Sequence, residues 1–252
     1  MNGLNHHRKE LRLSNWTAAI LNQCAKVGRS WLPSSCVLCG AGTGSGTGTA
    51  DRRLCAPCDA QLPRLSSVRC TVCALPLATT AVCGACLGHP PSYDTVSAEY
   101  AYAFPIDALI HAYKYGGDLS LAPVLAAALV RNARATVDAI IPMPLAPARL
   151  RERGFNQAHE LARHIGHALR LPIVANGCRK VTETPPQALL PWKERARNVR
   201  GAFVCDVDLG GKRVAVVDDV MTTGATLNEL AKNLKRAGAV HVSGWVIART
   251  LR

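Results

Sequence analysis

The sequence predicts an α/β fold, a mainly parallel twisted sheet flanked by helices, with a small cysteine-rich module ahead of it. Three observations carry that prediction. A short apolar run, Val214 to Val217, leads through Asp218 and Asp219 into a turn of small and hydroxylated residues and then into a helical stripe, Leu227, Leu230, Ala231 and Leu234, up to Gly238. Extended and helical patterns alternate in the same way from residue 93 onward. Eight of the eleven cysteines form four Cys-x-x-Cys pairs between residues 36 and 86.

Length and composition set the frame. A chain of 252 residues suffices for one full α/β domain and a small accessory module, and 48% hydrophobic against 19% charged residues describes a folded protein. No apolar run is long enough to cross a bilayer, and the N-terminus lacks a signal peptide's hydrophobic stretch, so a cytoplasmic location is expected. The formal charge is +13. Much of the excess lies in residues 141 to 200, which hold eleven Arg or Lys against four Glu, a concentration that attracts polyphosphate, nucleic acid or both.

Residues 1 to 35 read as an N-terminal tail with a helix, Trp16 to Leu21 and Trp31-Leu32 giving it an apolar side, and His6 to Lys9 as a solvated end. Residues 36 to 90 form the cysteine module. Cys36, Cys39, Cys55 and Cys58 come first, and Cys70, Cys73, Cys83 and Cys86 second. Two-residue spacing lets both sulfurs of a pair face one ion, so the eight thiolates suit two successive ribbons, each holding a structural Zn²⁺. Disulfides are the alternative, disfavoured without a secretion signal. Gly42 to Thr49 has no core-forming residue and reads as a mobile loop.

Pro90-Pro91 mark the boundary to a second domain, residues 91 to 252. Tyr93 to Ala103 reads as extended chain, Ile106 to Tyr113 as a helix stopping at Gly116-Gly117, and Leu121 to Arg131 as another helix. Lys114, at the first helix's end, either reaches a ligand phosphate or sits solvated at the negative pole of the helix dipole. Asp138 to Pro144 predicts a strand entering a rigid loop, and Leu145 to Gln157 opens a helix that buries Ala158, Leu161, Ala162, Ile165 and Leu169. His159, His164 and His167 share no clean ligand face and are read as surface or core-margin residues. Pro172 to Ala175 predicts a further strand, Arg179 to Gln187 an aperiodic segment of the kind that closes over sites, and Val240 to Ile247 the final strand, leaving Arg249 exposed.

The chemistry concentrates at residues 218 to 226. In an open α/β sheet, ligands bind beyond the carboxyl ends of the strands, where the next helix points free N–H groups outward. Thr222, Thr223 and Thr226 offer hydroxyls, while Gly224 and Ala225 let the backbone approach a phosphate. Asp218 and Asp219 would repel a phosphate placed against them, so they accept hydrogen bonds from sugar hydroxyls and help organise Mg²⁺. The ligand implied is a ribose 5-phosphate. A Walker loop is absent, so ATP is not expected.

This stretch resembles the phosphoribosyl pyrophosphate (PRPP) motif of type I phosphoribosyltransferases. The resemblance widens to residues 36 to 252: the cysteine pairs, His111 to Asp118, Pro142 to Leu145, Arg153 to Ala158, Gln187 to Asn198 with Gly201 to Phe203, and the PRPP motif follow the order of the ComF family, also called GntX in some bacteria. That family implies a double zinc ribbon joined to a type I phosphoribosyltransferase domain, with links to natural competence and uptake of transforming DNA. By the same resemblance Asp218 and Asp219 would hold the ribose hydroxyls and Thr222 to Thr226 the 5-phosphate. Leu145 to Arg153 matches the pyrophosphate loop, with Arg149 and Arg153 as contacts, and Arg179 and Lys180 open the flexible catalytic loop. Two functions remain open: a Mg²⁺-dependent transferase with an unidentified acceptor, and a PRPP sensor that grips single-stranded DNA through the zinc ribbons and residues 141 to 200 and works with competence DNA-uptake proteins.

Overall fold

A computed structural model describes residues 35–43, 53–79, 81–133, 136–182 and 199–251. The expectations for His6 to Lys9, Trp16 to Leu21, Trp31-Leu32, most of the glycine-threonine loop, Glu183 to Gln187, and Arg195, Arg197 and Asn198 lie outside those residues.

The core is a four-stranded, all-parallel sheet in the order β1-β6-β5-β2, with β1 Thr95–Ala101, β2 Ala139–Pro142, β5 Arg213–Met221 and β6 His241–Arg249. Strands buried on both faces read as continuous apolar runs, as Val214 to Val217 does. Its alternate residues divide between two cores: Val214 and Val216 pack on one face, Ala215 and Val217 on the other. The first face is covered by α7 (Ala225–Arg236), through Leu227, Leu230, Ala231 and Leu234. The second is covered by α3 (Ile106–Tyr115), α4 (Ala122–Asn132) and α6 (Gln157–Leu169). Beyond β2, Ile173 adds one parallel bridge to Ile140, so the expected strand at Pro172 to Ala175 is reduced to a single pairing.

The helix expected to open at Leu145 to Gln157 is two helices. The first, α5 (Pro147–Arg153), stops at Gly154, whose φ of +79° turns the chain left-handed. The second, α6, starts with Asn156 as its cap: the side chain accepts from the backbone N–H groups of Ala158 and His159 and donates to the Met143 carbonyl at 3.1 Å. One asparagine thus caps a helix and fixes the loop leaving β2.

The cysteine module straddles the β1 edge. Short helices α1 (Ala56–Ala60) and α2 (Gly84–Gly88) each carry one cysteine pair's end. The chain between the tetrads runs antiparallel to β1, Leu65 N–H donating to Glu99 and Ala101 N–H to the Pro63 carbonyl. An open strand edge is a pairing hazard, and this segment covers it. Cys36 packs with the α3–α4–α6 core, and Cys70, Cys73 and Cys86 with the α7 core, so each tetrad belongs to a different face of the sheet. A small antiparallel pair, β3 (Cys178–Lys180) and β4 (Phe203–Cys205), completes the described fold; Cys178 and Cys205 are opposite partners in it and are disulfide-bonded.

Candidate functional site

The connectivity itself marks the site. From β2 the chain leaves through α5 and α6 on one face and moves outward to Ile173; from β5 it leaves through α7 on the other face and moves inward to β6. Neighbouring strands whose connections depart to opposite faces leave a crevice between their carboxyl ends. A cleft of about 360 Å³ lies there.

Its lining comes from distant parts of the chain. From β5 and the turn after it come Asp218, Asp219, Thr222 and Thr226; from the β2 exit, Leu145, Arg149 and Arg153; from α3, Lys114; from β3, Lys180. Four cationic side chains therefore face two carboxylates, a balance that suits an anion better than a cation. Thr223 and Gly224 line a smaller recess of about 30 Å³ beside it, shared with Asp218, Thr222 and Thr226. Ala225 is the first residue of α7, and its N–H is taken by the Thr223 hydroxyl at 3.1 Å. Arg179 is not brought to the cleft. Successive strand residues face opposite ways, so Lys180 points in while Arg179 is exposed and ion-paired with Asp206.

The aspartates are part of β5, which runs four residues beyond the apolar stretch to Met221. Each carboxylate accepts the N–H of the next residue, Asp219 to Asp218 at 2.9 Å and Val220 to Asp219 at 2.8 Å. Asp219 is 2% exposed, and Lys114 Nζ lies 2.7 Å from its second oxygen. Burial works to lower the Lys114 ammonium, but the charges of Asp219 and then Asp218 outweigh it and raise the pKa. Asp218 differs: burial first, and the neighbouring Asp219 charge second, push its carboxyl up to about 7. Burial also lowers the Lys180 ammonium, against the pull of Asp218. A ligand offering hydroxyls or a divalent cation relieves the strain on Asp218, and one offering phosphate meets Lys114, Lys180 and the arginines.

The turn is held from beneath. Gly224 has φ of +82°, and a Cβ there would lie 2.5 Å from Met221 Cε and 3.1 Å from the Tyr93 hydroxyl oxygen. Tyr113, buried on α3, donates to the Gln157 carbonyl at 2.8 Å, and Arg153 lies 5.3 Å over the Tyr115 ring while donating to Gln157. Arg149 pairs with Glu152 on the same helix.

Arg249, expected to be exposed, is 1% exposed. Its hydrogen bonds reach the carbonyls of Cys73, Met221, Thr222 and Thr250. The alternation of β6 puts its side chain under the second cysteine tetrad, and that contact is 176 residues away in sequence. No local signal could reveal it.

Among the described residues, the groups of three or more His, Cys, Asp or Glu able to hold a metal are the two predicted tetrads, each with its four sulfurs within 4.8 Å of one another. Neighbouring sulfurs stand 3.6 Å apart in both, Cys39 to Cys55 and Cys73 to Cys83, far longer than a disulfide and close to the edge of a tetrahedron around zinc. Backbone N–H groups of Cys73 and Cys83 also aim at the Cys70 sulfur, at 3.5 and 3.3 Å. Burial opposes ionisation of Cys36 and Cys70, yet such N–H donors bring them down to about 6 and about 7. The thiolate donor sets fit Zn²⁺. His159, His164 and His167 join no such group.

Fold and site together define a class: a parallel α/β protein with flanking helices, a crevice at the sheet's switch point, and two cysteine tetrads whose donor sets fit zinc. A family model described as a double zinc ribbon domain matches residues 27–87. The chain is 35% identical over 212 residues to competence protein F of Haemophilus influenzae, covering 79% of this chain and 92% of that protein. It is 32% identical over 207 residues to the DNA utilization protein YhgH of Escherichia coli K12, covering 79% and 91%, and 24% identical over 214 residues to competence protein ComFC of Bacillus subtilis, covering 79% and 85%. The chain belongs to the ComF competence protein family. Among solved structures it is similar to a glutamine PRPP amidotransferase from B. subtilis, at 22% identity and TM-score 0.35 over 50% of this chain and 26% of that one. A purine phosphoribosyltransferase from Pyrococcus horikoshii aligns at 19% identity and TM-score 0.28, over 62% and 87%. Among the described residues no helix is long and apolar enough to cross a membrane.

Proposed function

We propose that this chain binds PRPP with Mg²⁺ in the β2–β5 crevice and transfers its phosphoribosyl group to an acceptor with release of pyrophosphate. The observation that carries the reading is convergence: a carboxylate pair, a threonine turn and four cations, drawn from α3, α5, β3 and β5, line one cleft. On this reading residues 36 to 90 are a structural module holding two Zn²⁺, and residues 91 to 252 carry the site.

Asp218 and Asp219 accept hydrogen bonds from the ribose 2- and 3-hydroxyls, with Lys114 paired to Asp219 and orienting it. Thr222, Thr223 and Thr226, with the turn's backbone N–H groups, hold the 5-phosphate. Leu145 to Arg153 hold the pyrophosphate, Arg149 and Arg153 meeting its oxygens. An acceptor lone pair then bonds to the anomeric carbon as the C–O bond to pyrophosphate breaks, both electrons leaving with pyrophosphate. Charge builds on that leaving group, and Arg149, Arg153 and Lys180 are positioned to stabilise it. Magnesium, when bound, neutralises pyrophosphate charge, and Asp218 is the carboxylate available to organise it.

Mixing protein, Mg²⁺ and PRPP with a panel of nucleobases and following pyrophosphate release tests the transferase. Acceptor-dependent release supports it. PRPP binding without release for any acceptor supports the second reading, a sensor. That reading is favoured by one observation: Tyr102 and Tyr115 are exposed at the cleft that Lys114 and Arg153 also line, giving single-stranded DNA aromatic faces next to cations. The names of the relatives fit either role in competence or DNA use, with DNA-uptake proteins as partners.

A further inference from the structure

Arg249 is a full positive charge at the end of β6, only 1% exposed. Burying a guanidinium costs several kcal/mol unless its donors are matched. Here they are matched by carbonyls from three places: Nε donates to Cys73 at 3.1 Å, and Nη1 to Met221 at 3.0 Å, to Thr222, and to Thr250 at 2.8 Å. Cys73 belongs to the second tetrad, and Met221 and Thr222 lead into the threonine turn.

Planar trans peptides give these contacts a direction. In each such unit the carbonyl and the following N–H point to opposite sides. With the Met221 and Thr222 carbonyls aimed at Arg249, the N–H groups of Thr222 and Thr223 point the other way, and both residues line the recess. Those are the donors a phosphate needs. The Cys73 end is held just as firmly. Ala74, fully buried with φ of +60°, closes the Cys70–Cys73 turn, its N–H on the Cys70 carbonyl at 3.0 Å. Cys73 presents its carbonyl in that direction only while the turn keeps its shape, and a metal bound to Cys70 and Cys73 would hold that shape. Tyr93 supports the same connection, buried in the core that holds Cys70, Cys73 and Cys86 while its hydroxyl faces Gly224.

We infer that Arg249 is a positioning residue that couples metal occupancy of the Cys70–Cys73–Cys83–Cys86 site to the shape of the 222–226 turn, so that the second tetrad, and not the first, sets the turn's affinity for phosphate. The affinity half of this rests on the PRPP reading; the coupling half does not.

The test uses full-length, zinc-loaded protein with Arg249→Met and, should that variant fail to fold, Arg249→Lys. Hydrogen exchange of residues 221 to 226 should be roughly tenfold or more faster in either variant, with zinc content per chain unchanged and exchange in α4 and α6 as in the parent. PRPP affinity with Mg²⁺ should fall by roughly the same factor. In the parent, saturating PRPP should slow transfer of one of the two zinc ions to a chelator, because coupling is reciprocal, and in the variants that protection should vanish. Parent-like exchange at 221 to 226 in a zinc-loaded variant would overturn the coupling. If the parent protein binds no PRPP, the phosphate reading fails by itself and the exchange comparison still decides the role of Arg249.

Discussion

Raising the pH from 6 to 8 should tighten binding of PRPP with Mg²⁺ through Asp218. Its carboxyl is pushed up to about 7 by burial and then by the Asp219 charge, with Lys114 pulling the other way. A sugar hydroxyl or a magnesium ion calls for the ionised form. With a pKa near 7, roughly a tenth of molecules carry that form at pH 6 and roughly nine tenths at pH 8, so affinity should rise about ninefold, or about 1.3 kcal/mol. The same proton bears on stability. A carboxyl whose folded pKa lies above its unfolded value favours the folded state fully below about pH 4, and that contribution is lost as the pH rises through about 7. The ligand-free protein should therefore lose stability from this group toward pH 8, and PRPP with Mg²⁺ should recover it. The phosphates of PRPP lose protons in the same range, which makes Asp218→Asn the control: it removes the carboxylate's share and keeps the ligand's. Calorimetric titrations at pH 6, 7 and 8 on parent and variant read the difference directly. Equal pH slopes for the two would refute the argument.

The remaining predictions concern the other groups that shape the cleft. Lys114→Met strands the buried Asp219 carboxylate and should cost about 3 kcal/mol in chemical denaturation. Gly224→Ala places a Cβ against Met221 and Tyr93 at a left-handed φ, and should lose about 1–2 kcal/mol of stability in the same assay while weakening PRPP binding. Asp218→Asn combined with Asp219→Asn should abolish PRPP binding in calorimetry and leave zinc content unchanged. Metal analysis should find two zinc ions per chain, falling to one when Cys36 and Cys39 are replaced by serine. Replacing Arg149, Arg151 and Arg153 together should lower the salt slope of single-stranded DNA binding by about 2, measured by fluorescence titration; an unchanged slope would move the DNA surface elsewhere.

Some of this was readable along the chain. The Val214 to Val217 run, its two aspartates and the Thr222 to Thr226 turn are contiguous, so local pattern reports them; each cysteine pair is local too, and the two tetrads group in chain order. What fails is any reading whose cause lies at long range. The break between α5 and α6 was marked by Gly154, but the reason it matters, Asn156 tying a helix start to the Met143 carbonyl, requires the loop to fold back. Cys178 and Cys205 carry no spacing signal and meet only because β3 and β4 pair.

The sequence by itself determined the chemistry of the parts: which residues can accept a sugar, cradle a phosphate or hold zinc. Those properties depend on side-chain type and on neighbours within a few positions. Tertiary structure decided which parts act together. It brought Lys114 onto Asp219, turned Lys180 inward and Arg179 outward, and buried Arg249 between the second tetrad and the threonine turn. A buried charge is stable only where the whole fold supplies its partners, and those partners come from segments more than a hundred residues apart.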